Sequence, residues 1–418
     1  MRFFLGLFLS LSLCFSTLVS TVNAQSNSSI FSNTAPGTDA GTGTNTGDAS
    51  ENVTAPALSL TASSALLMDA TTGTILYAQN AEEEHPIASV TKIMTLLLIF
   101  RALHDQTIQL EDSVIVSAHA AGMGGSQVYL EEGETQTVET LIKCIVMASA
   151  NDACVAMAEQ IAGSEEAFVQ RMNETAAALG MQHTHFVNCC GLDTEGHYST
   201  AHDIALMSRE LTVNYPEIFN YTSIWMEDIT HHTAQGNTTF TLSNTNHLIK
   251  QSPYAPGLKT GFTSAAGFCL SATASKGDLN LIAVVLNAPS SMERIADVKT
   301  LFEWGFANCR VYTDENLDPL PVLPVSRGRL SELYLKYDSA FHYLDTANTS
   351  GELTKKLELP DSVEAPIKEG DRIGKAVYTL AGQTVGSVDL LAAETIPLLT
   401  LKDAWQQILH RFFLYEPA

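Results

Sequence analysis

Pro86-Ile87-Ala88-Ser89-Val90-Thr91-Lys92-Ile93-Met94-Thr95-Leu96-Leu97-Leu98-Ile99-Phe100 is the stretch on which the fold turns. Pro86 punctuates the chain, and from Val90 to Leu103 the residues are apolar on nearly all sides of a helix. A helix with no polar face has to be covered, so this one is expected to be buried. Its beginning is polar, with Ser89, Thr91 and Lys92. Residues three apart share a helix face, which puts the Lys92 amine beside the Ser89 hydroxyl.

Outward from that helix, order is expected from Leu58. Ala65 to Met68 and Thr74 to Ala78 read as short strands around a turn at Gly73. Downstream, Val138 to Ala162 has a helical pattern broken at Ser149 to Asp152. Ala167 to Leu179 is a helix stopped by Gly180, and Thr200 to Leu211 another with Ser199-Thr200 as cap candidates. Phe268 to Ala274 and Leu281 to Leu286 read as a hairpin around Lys276-Gly277-Asp278. Arg294 to Phe306 is amphipathic. Residues 58–308 are therefore expected as one domain and 309–396 as a small all-β domain, with short alternating segments and Gly-centred turns at Gly370 and Gly382. In 397–418, Leu398, Leu401, Trp405, Ile408 and Phe412 fall on one helical face.

The ends of the chain and its charge bound the setting. Arg2, an apolar run to about Val19 and Val22-Asn23-Ala24 read as a cleaved export signal over 1–24. Residues 25–57, rich in Ser, Thr, Asn, Gly and Ala, read as a flexible linker. The formal net charge of -24 makes nucleic acid a poor partner, since phosphate binding needs clustered Lys and Arg. No stretch after the leader reaches the ~18 apolar residues of a spanning helix. Cys144, Cys154, Cys189, Cys190, Cys269 and Cys309 show no paired metal spacing and read best as small buried side chains. His183, His185, His231 and His232 lack the i, i+4 spacing of a metallopeptidase. No metal or organic cofactor is expected.

Three short motifs carry chemistry. In Ser89-Val90-Thr91-Lys92, a hydroxyl needs a base to become a nucleophile, and an amine serves if desolvation favours its neutral form. Ser89 at a helix start also gains backbone N–H groups able to hold an oxyanion. In Ser149-Ala150-Asn151, a hydroxyl can relay a proton while an amide holds substrate or orients Lys92. In Lys259-Thr260-Gly261, a cation and a hydroxyl on a strand edge can meet a substrate carboxylate, and Gly permits close approach. Each signal alone is modest; together, in this order, they are specific.

Over most of residues 58–395 the chain resembles the serine D-Ala-D-Ala carboxypeptidases, the low-molecular-mass penicillin-binding proteins. Ile87 to Thr95 looks like the family's nucleophile helix, Met147-Ala148-Ser149-Ala150-Asn151-Asp152-Ala153 like its second element, and Leu258-Lys259-Thr260-Gly261-Phe262-Thr263 like its third. Gly191-Leu192-Asp193 and Gly196-His197-Tyr198-Ser199-Thr200 resemble a family segment without obvious chemistry. The resemblance implies an α/β (α+β) fold, an antiparallel sheet flanked by helices, with a small β domain after it. It implies Ser89 as acyl-ester nucleophile, Lys92 as general base and Ser149 as proton relay. Asn151 would bind substrate, Lys259 and Thr260 its carboxylate, with Gly261 in the same element. The N–H groups of Ser89 and Phe262 would form the oxyanion hole, and Arg294 would help hold the terminal carboxylate.

The implied reaction removes the last D-alanine from peptidoglycan stem peptides, with β-lactams as covalent inhibitors. The terminal helix would be a peripheral membrane contact on an exported enzyme. Two rivals share the motifs. A D,D-endopeptidase would cut existing cross-links. A serine β-lactamase needs a Glu for deacylation, and Glu217-Ile218-Phe219-Asn220 is the nearest lookalike, 68 residues beyond Ser149 (217 minus 149).

Overall fold

The computed structural model describes residues 58–234 and 236–413. The expected leader and linker lie outside them.

In chain order the first part contains strands β1 (Ser64–Asp69) and β2 (Ile75–Gln79), helix α1 (Lys92–His104), strand β3 (Ser113–Ile115), helix α2 (Ala118–Ala121) and strand β4 (Thr135–Thr137). Helices α3 (Val138–Met147), α4 (Asn151–Ala162), α5 (Glu165–Ala178), α6 (Ala201–Asn214) and α7 (Phe219–Thr222) follow. Then come β5 (Met226–Thr233), β6 (Gly236–Ser243), α8 (Leu248–Gln251), β7 (Gly257–Thr263), β8 (Gly267–Lys276), β9 (Leu279–Ala288) and α9 (Ser291–Asn308).

The central sheet has the order β2-β1-β9-β8-β7, with every neighbouring pair antiparallel. Its strands read as apolar runs because both faces are covered. Leu66 and Met68 of β1, with Ile282, Val284 and Leu286 of β9, pack into the core that contains α1. The alternate residues Ala65, Leu67, Leu281, Ala283 and Val285 pack against Val298, Leu301 and Phe302 of α9. A period of two thus divides one strand between two cores. The β8–β9 hairpin closes through Gly277-Asp278, with Gly277 at φ +59°, as a two-residue loop requires.

Helix α1, apolar on nearly all sides, is buried from Lys92 to Phe100. The break anticipated at Ser149 is real: α3 stops at Met147 and α4 starts at Asn151. The β5–β6 hairpin was not anticipated, because its strands are largely exposed and carry polar and Thr-rich sequence on both faces.

After Asn308 the chain is mainly β. A four-stranded antiparallel sheet runs Leu335–Tyr337, Gln383–Ala392, Arg372–Leu380, Leu353–Glu358. Its central hairpin turns through Ala381 and Gly382, at φ +50° and +83°. Phe341 stacks on the buried Tyr378 ring at 3.7 Å. The last helix spans Leu401–Phe413, so Leu398 precedes it and instead bridges to Gly328. Thr400 caps the helix reciprocally with Asp403.

Candidate active site

A 3-10 turn, Ala88–Thr91, carries Ser89 into α1. Ala88 has φ +49°, a conformation that costs a residue with a Cβ about 1–3 kcal/mol. Neighbours hold it there. Thr91 Oγ1 donates to Ala88 O at 2.8 Å. His197 Nδ1 accepts the Val187 N–H at 3.1 Å, so its proton lies on Nε2 and is donated to Thr91 Oγ1 at 2.8 Å. Burial pushes His197 down to about 4, with nearby His185 adding to the effect. Gly191 closes over the same turn; a Cβ there would stand 1.8 Å from Ala88 O.

Lys92 is fully buried, and its Nζ has three hydrogen-bond partners. They are Ser89 Oγ at 3.0 Å, Asn151 Oδ1 at 2.7 Å and Cys190 O at 2.7 Å. An amine held on a serine hydroxyl in a dry site is positioned to take that hydroxyl's proton. Asn151 is pinned in turn: its Nδ2 donates to Gly124 O at 2.7 Å and its N–H to Ser126 O at 2.7 Å. Asp152 accepts the Val128 and Leu130 N–H groups at 3.1 Å each, tying down the same loop. Burial raises the Asp152 carboxyl against the opposing pull of those N–H groups. Ser149, at φ +57° in the break between helices, is buried, and its Oγ has no hydrogen-bond partner among the described residues.

Edge strand β7 carries Lys259, Thr260, Gly261 and Phe262. Lys259 is buried, and Nζ donates to Thr260 O at 3.2 Å. Burial pushes its ammonium well below the usual lysine range, and the Lys92 and Arg294 charges push the same way. Thr260 Oγ1 lies 2.9 Å from Thr245 Oγ1. A Cβ on Gly261 would meet Ile87 O at 2.8 Å and Ser89 N at 3.1 Å, so glycine here lets β7 lie against the nucleophile turn itself. Phe262 is exposed and stacks on Phe268 at 4.3 Å.

Arg294, on α9, is buried beneath this strand. Its Nη1 donates to Gly261 O at 3.1 Å and Cys269 O at 3.2 Å, and its guanidinium lies over the Phe268 ring. Its Nη1 hydrogen bonds thus brace β7 and β8 from behind.

The structure therefore gathers Ser89, Lys92 and Asn151 in one hydrogen-bonded group, with Lys259 in the field of Lys92 and Gly261 beside Ser89. Glu217, by contrast, lines a groove with Phe100, Leu103 and Tyr215. The sequence reading missed the partners that reach Lys92 through the backbone. Cys190 O is the chief one, and Asn188 Oδ1 shapes its corner by accepting the N–H groups of Cys190, Gly191 and Leu192 at 3.1, 2.7 and 3.1 Å. An Asn three residues before a Gly is an Asx-turn signal that could have flagged this corner.

Residues 50–290 match the family model described as D-alanyl-D-alanine carboxypeptidase, and 321–398 match that of the penicillin-binding protein 5 C-terminal domain. The chain is 39% identical to D-alanyl-D-alanine carboxypeptidase DacF of Bacillus subtilis (strain 168), over 80% of this chain and 85% of the relative. It is 33% identical to DacC of Escherichia coli (strain K12), over 83% and 87%. Among solved structures, penicillin binding protein 5 of Haemophilus influenzae superposes with a TM-score of 0.68 at 30% identity, covering 81% of this chain and 98% of that one.

Proposed function

The chain belongs to the D-alanyl-D-alanine carboxypeptidase family, and from that premise we propose that Ser89 is the nucleophile with which this serine peptidase removes the terminal D-alanine of peptidoglycan stem pentapeptides. The observation that carries the assignment is the buried Lys92 amine, hydrogen-bonded at once to Ser89 Oγ, Asn151 Oδ1 and Cys190 O.

Lys92 Nζ takes the Ser89 proton while Oγ bonds to the carbonyl carbon between the two D-alanines. The N–H groups of Ser89 and Phe262 hold the oxyanion, in the place where Gly261 brings β7 against the turn. Ser149 passes a proton to the leaving nitrogen, the C–N bond breaks, and D-alanine departs. Its buried Oγ, without a partner among the described residues, supports that role. Water then cleaves the Ser89 ester by the reverse transfers. Lys259 and Thr260 receive the substrate carboxylate. Arg294 adds positive charge and stiffens the strand from behind. A β-lactam presents the same acyl centre and carboxylate, so it acylates the same Ser89.

This substrate puts the enzyme in the cell envelope. Residues 1–24 as a cleaved export signal and 25–57 as a flexible linker suit that setting. The terminal helix serves as the peripheral membrane anchor: Leu401, Trp405 and Ile408 are exposed, and no helix among the described residues is long and apolar enough to cross a membrane.

Ser89→Ala should abolish covalent labelling by a fluorescent penicillin and leave the circular dichroism unchanged. Persistent labelling would move the nucleophile elsewhere. Release of D-alanine from a pentapeptide, measured beside cleavage of a cross-linked dimer, separates the carboxypeptidase from an endopeptidase.

A further inference from the structure

Thiols from two parts of the fold meet behind Lys92. Cys189 and Cys190 occupy the corner shaped by Asn188, and their Sγ atoms lie 3.5 Å apart. Cys154 is buried in the first turn of α4, and the Cys190 thiol donates to Asn151 O of that turn at 3.5 Å. Glu165, the first residue of α5, reaches the same place, and its Oε1 accepts the Cys189 N–H at 3.0 Å. The Glu165 carboxylate and the Cys189 and Cys190 sulfurs all lie within 4.8 Å of one another. His119 Nε2 stands 3.6 Å from Glu165 Oε2 on the solvent side. The mechanism uses none of these side chains, only the Cys190 carbonyl.

We propose that Cys189, Cys190 and Glu165 form a binding site for one thiophilic divalent cation of the zinc class. The donor set selects that class: thiolates suit zinc and cadmium, whereas magnesium and calcium take oxygen ligands. The spacing fits as well. Zn–S bonds of about 2.3 Å in a tetrahedron set neighbouring sulfurs roughly 3.8 Å apart, close to the 3.5 Å found. Chain spacing conceals the site, because Glu165 comes from a helix 24 residues away. Three protein ligands leave a fourth position for water. Glu165 is partly exposed and His119 lies beyond it, so the ion enters from that side. Both sulfurs bind as thiolates, and any thiol proton leaves to solvent, so affinity falls as pH falls.

The test uses the full chain, reduced and freed of metal, titrated with Cd²⁺. Thiolate-to-cadmium charge-transfer absorption is followed together with proton release. One equivalent should bind, with protons released as it does. Cys189→Ser and Glu165→Gln should each weaken binding by more than the roughly 10–100-fold typical of outer-sphere partners. Cys144→Ser and Cys309→Ser, buried elsewhere, should bind as the native chain does. Glu165→Gln changes a residue near the surface, and an unchanged circular dichroism spectrum shows that it folds. Absence of the band at one equivalent, or its survival undiminished in Cys189→Ser, would overturn the proposal. No substrate enters the assay, so its result is independent of the peptidase assignment.

Discussion

Lys92 directs its three hydrogen bonds to a hydroxyl, an amide and a peptide carbonyl, all of them neutral. A general base contributes about 10²–10⁴-fold, so Lys92→Ala should slow acylation by a fluorescent penicillin by two to four orders of magnitude. Near-normal acylation would remove Lys92 from the role. His197 gives a second expectation at this scale. Its folded pKa, down at about 4, lies below the usual 6.5. The unfolded chain therefore binds the extra proton first, and the stabilisation present above pH 6.5 is lost as pH falls towards 4. The gap corresponds to about 3 kcal/mol. A series of melting temperatures from pH 7 to 4 should fall more steeply for the native chain than for His197→Gln; parallel curves would contradict it. Residue chemistry of this kind was only partly legible in the sequence. Ser89 and Lys92 declare themselves by spacing on one helix. The Cys190 carbonyl that holds Lys92 carries no side-chain signature, and His197 acts through Thr91, 106 residues away.

Elements meet at the nucleophile turn because small residues let them. Gly261 has ordinary backbone angles, so its role is steric: a methyl there would press on Ile87 O and Ser89 N. Gly261→Ala should push β7 away from the turn by a few tenths of an ångström or more. Misplacement of about 1 Å costs roughly 10²-fold in rate. Acylation should therefore fall substantially while the melting temperature moves little, and an unaltered rate would show that the contact does not position the strand. The elements that frame this contact were readable where burial imposes a pattern. The predominantly apolar α1, the break at Ser149 and the β8–β9 hairpin each left a signal of period or punctuation. The β5–β6 hairpin left none: Met226, Asp228, Thr230 and His232 line the exposed face of β5, while the covered face mixes Ile229 with Glu227, His231 and Thr233, so burial there is not written in apolar residues. What apolar contact it makes is confined to Ile229, Phe240 and Leu242, too few to set a period along two eight-residue strands.

At the scale of the whole molecule, a net charge of -24 works against any anionic surface. The terminal helix must then adhere by apolar contact, not by attraction. Leu401, Trp405 and Ile408 project at i, i+4 and i+7 and are 84%, 64% and 58% exposed. Burying one such side chain is worth about 1.5–3 kcal/mol, so the three together can outweigh the repulsion once salt screens it. The helix sequence holds only two cations, Lys402 and Arg411, too few for an electrostatic anchor. The native chain should therefore co-sediment with phosphatidylglycerol-containing vesicles, and more completely at high salt than at low. Leu401→Glu with Trp405→Glu should remain in the supernatant at both, while acylating with penicillin at the native rate, because the helix lies outside the catalytic residues. Co-sedimentation that declines with salt would mean that charge, not apolar area, makes the contact. Equal sedimentation of the double variant would place the membrane surface elsewhere on the molecule.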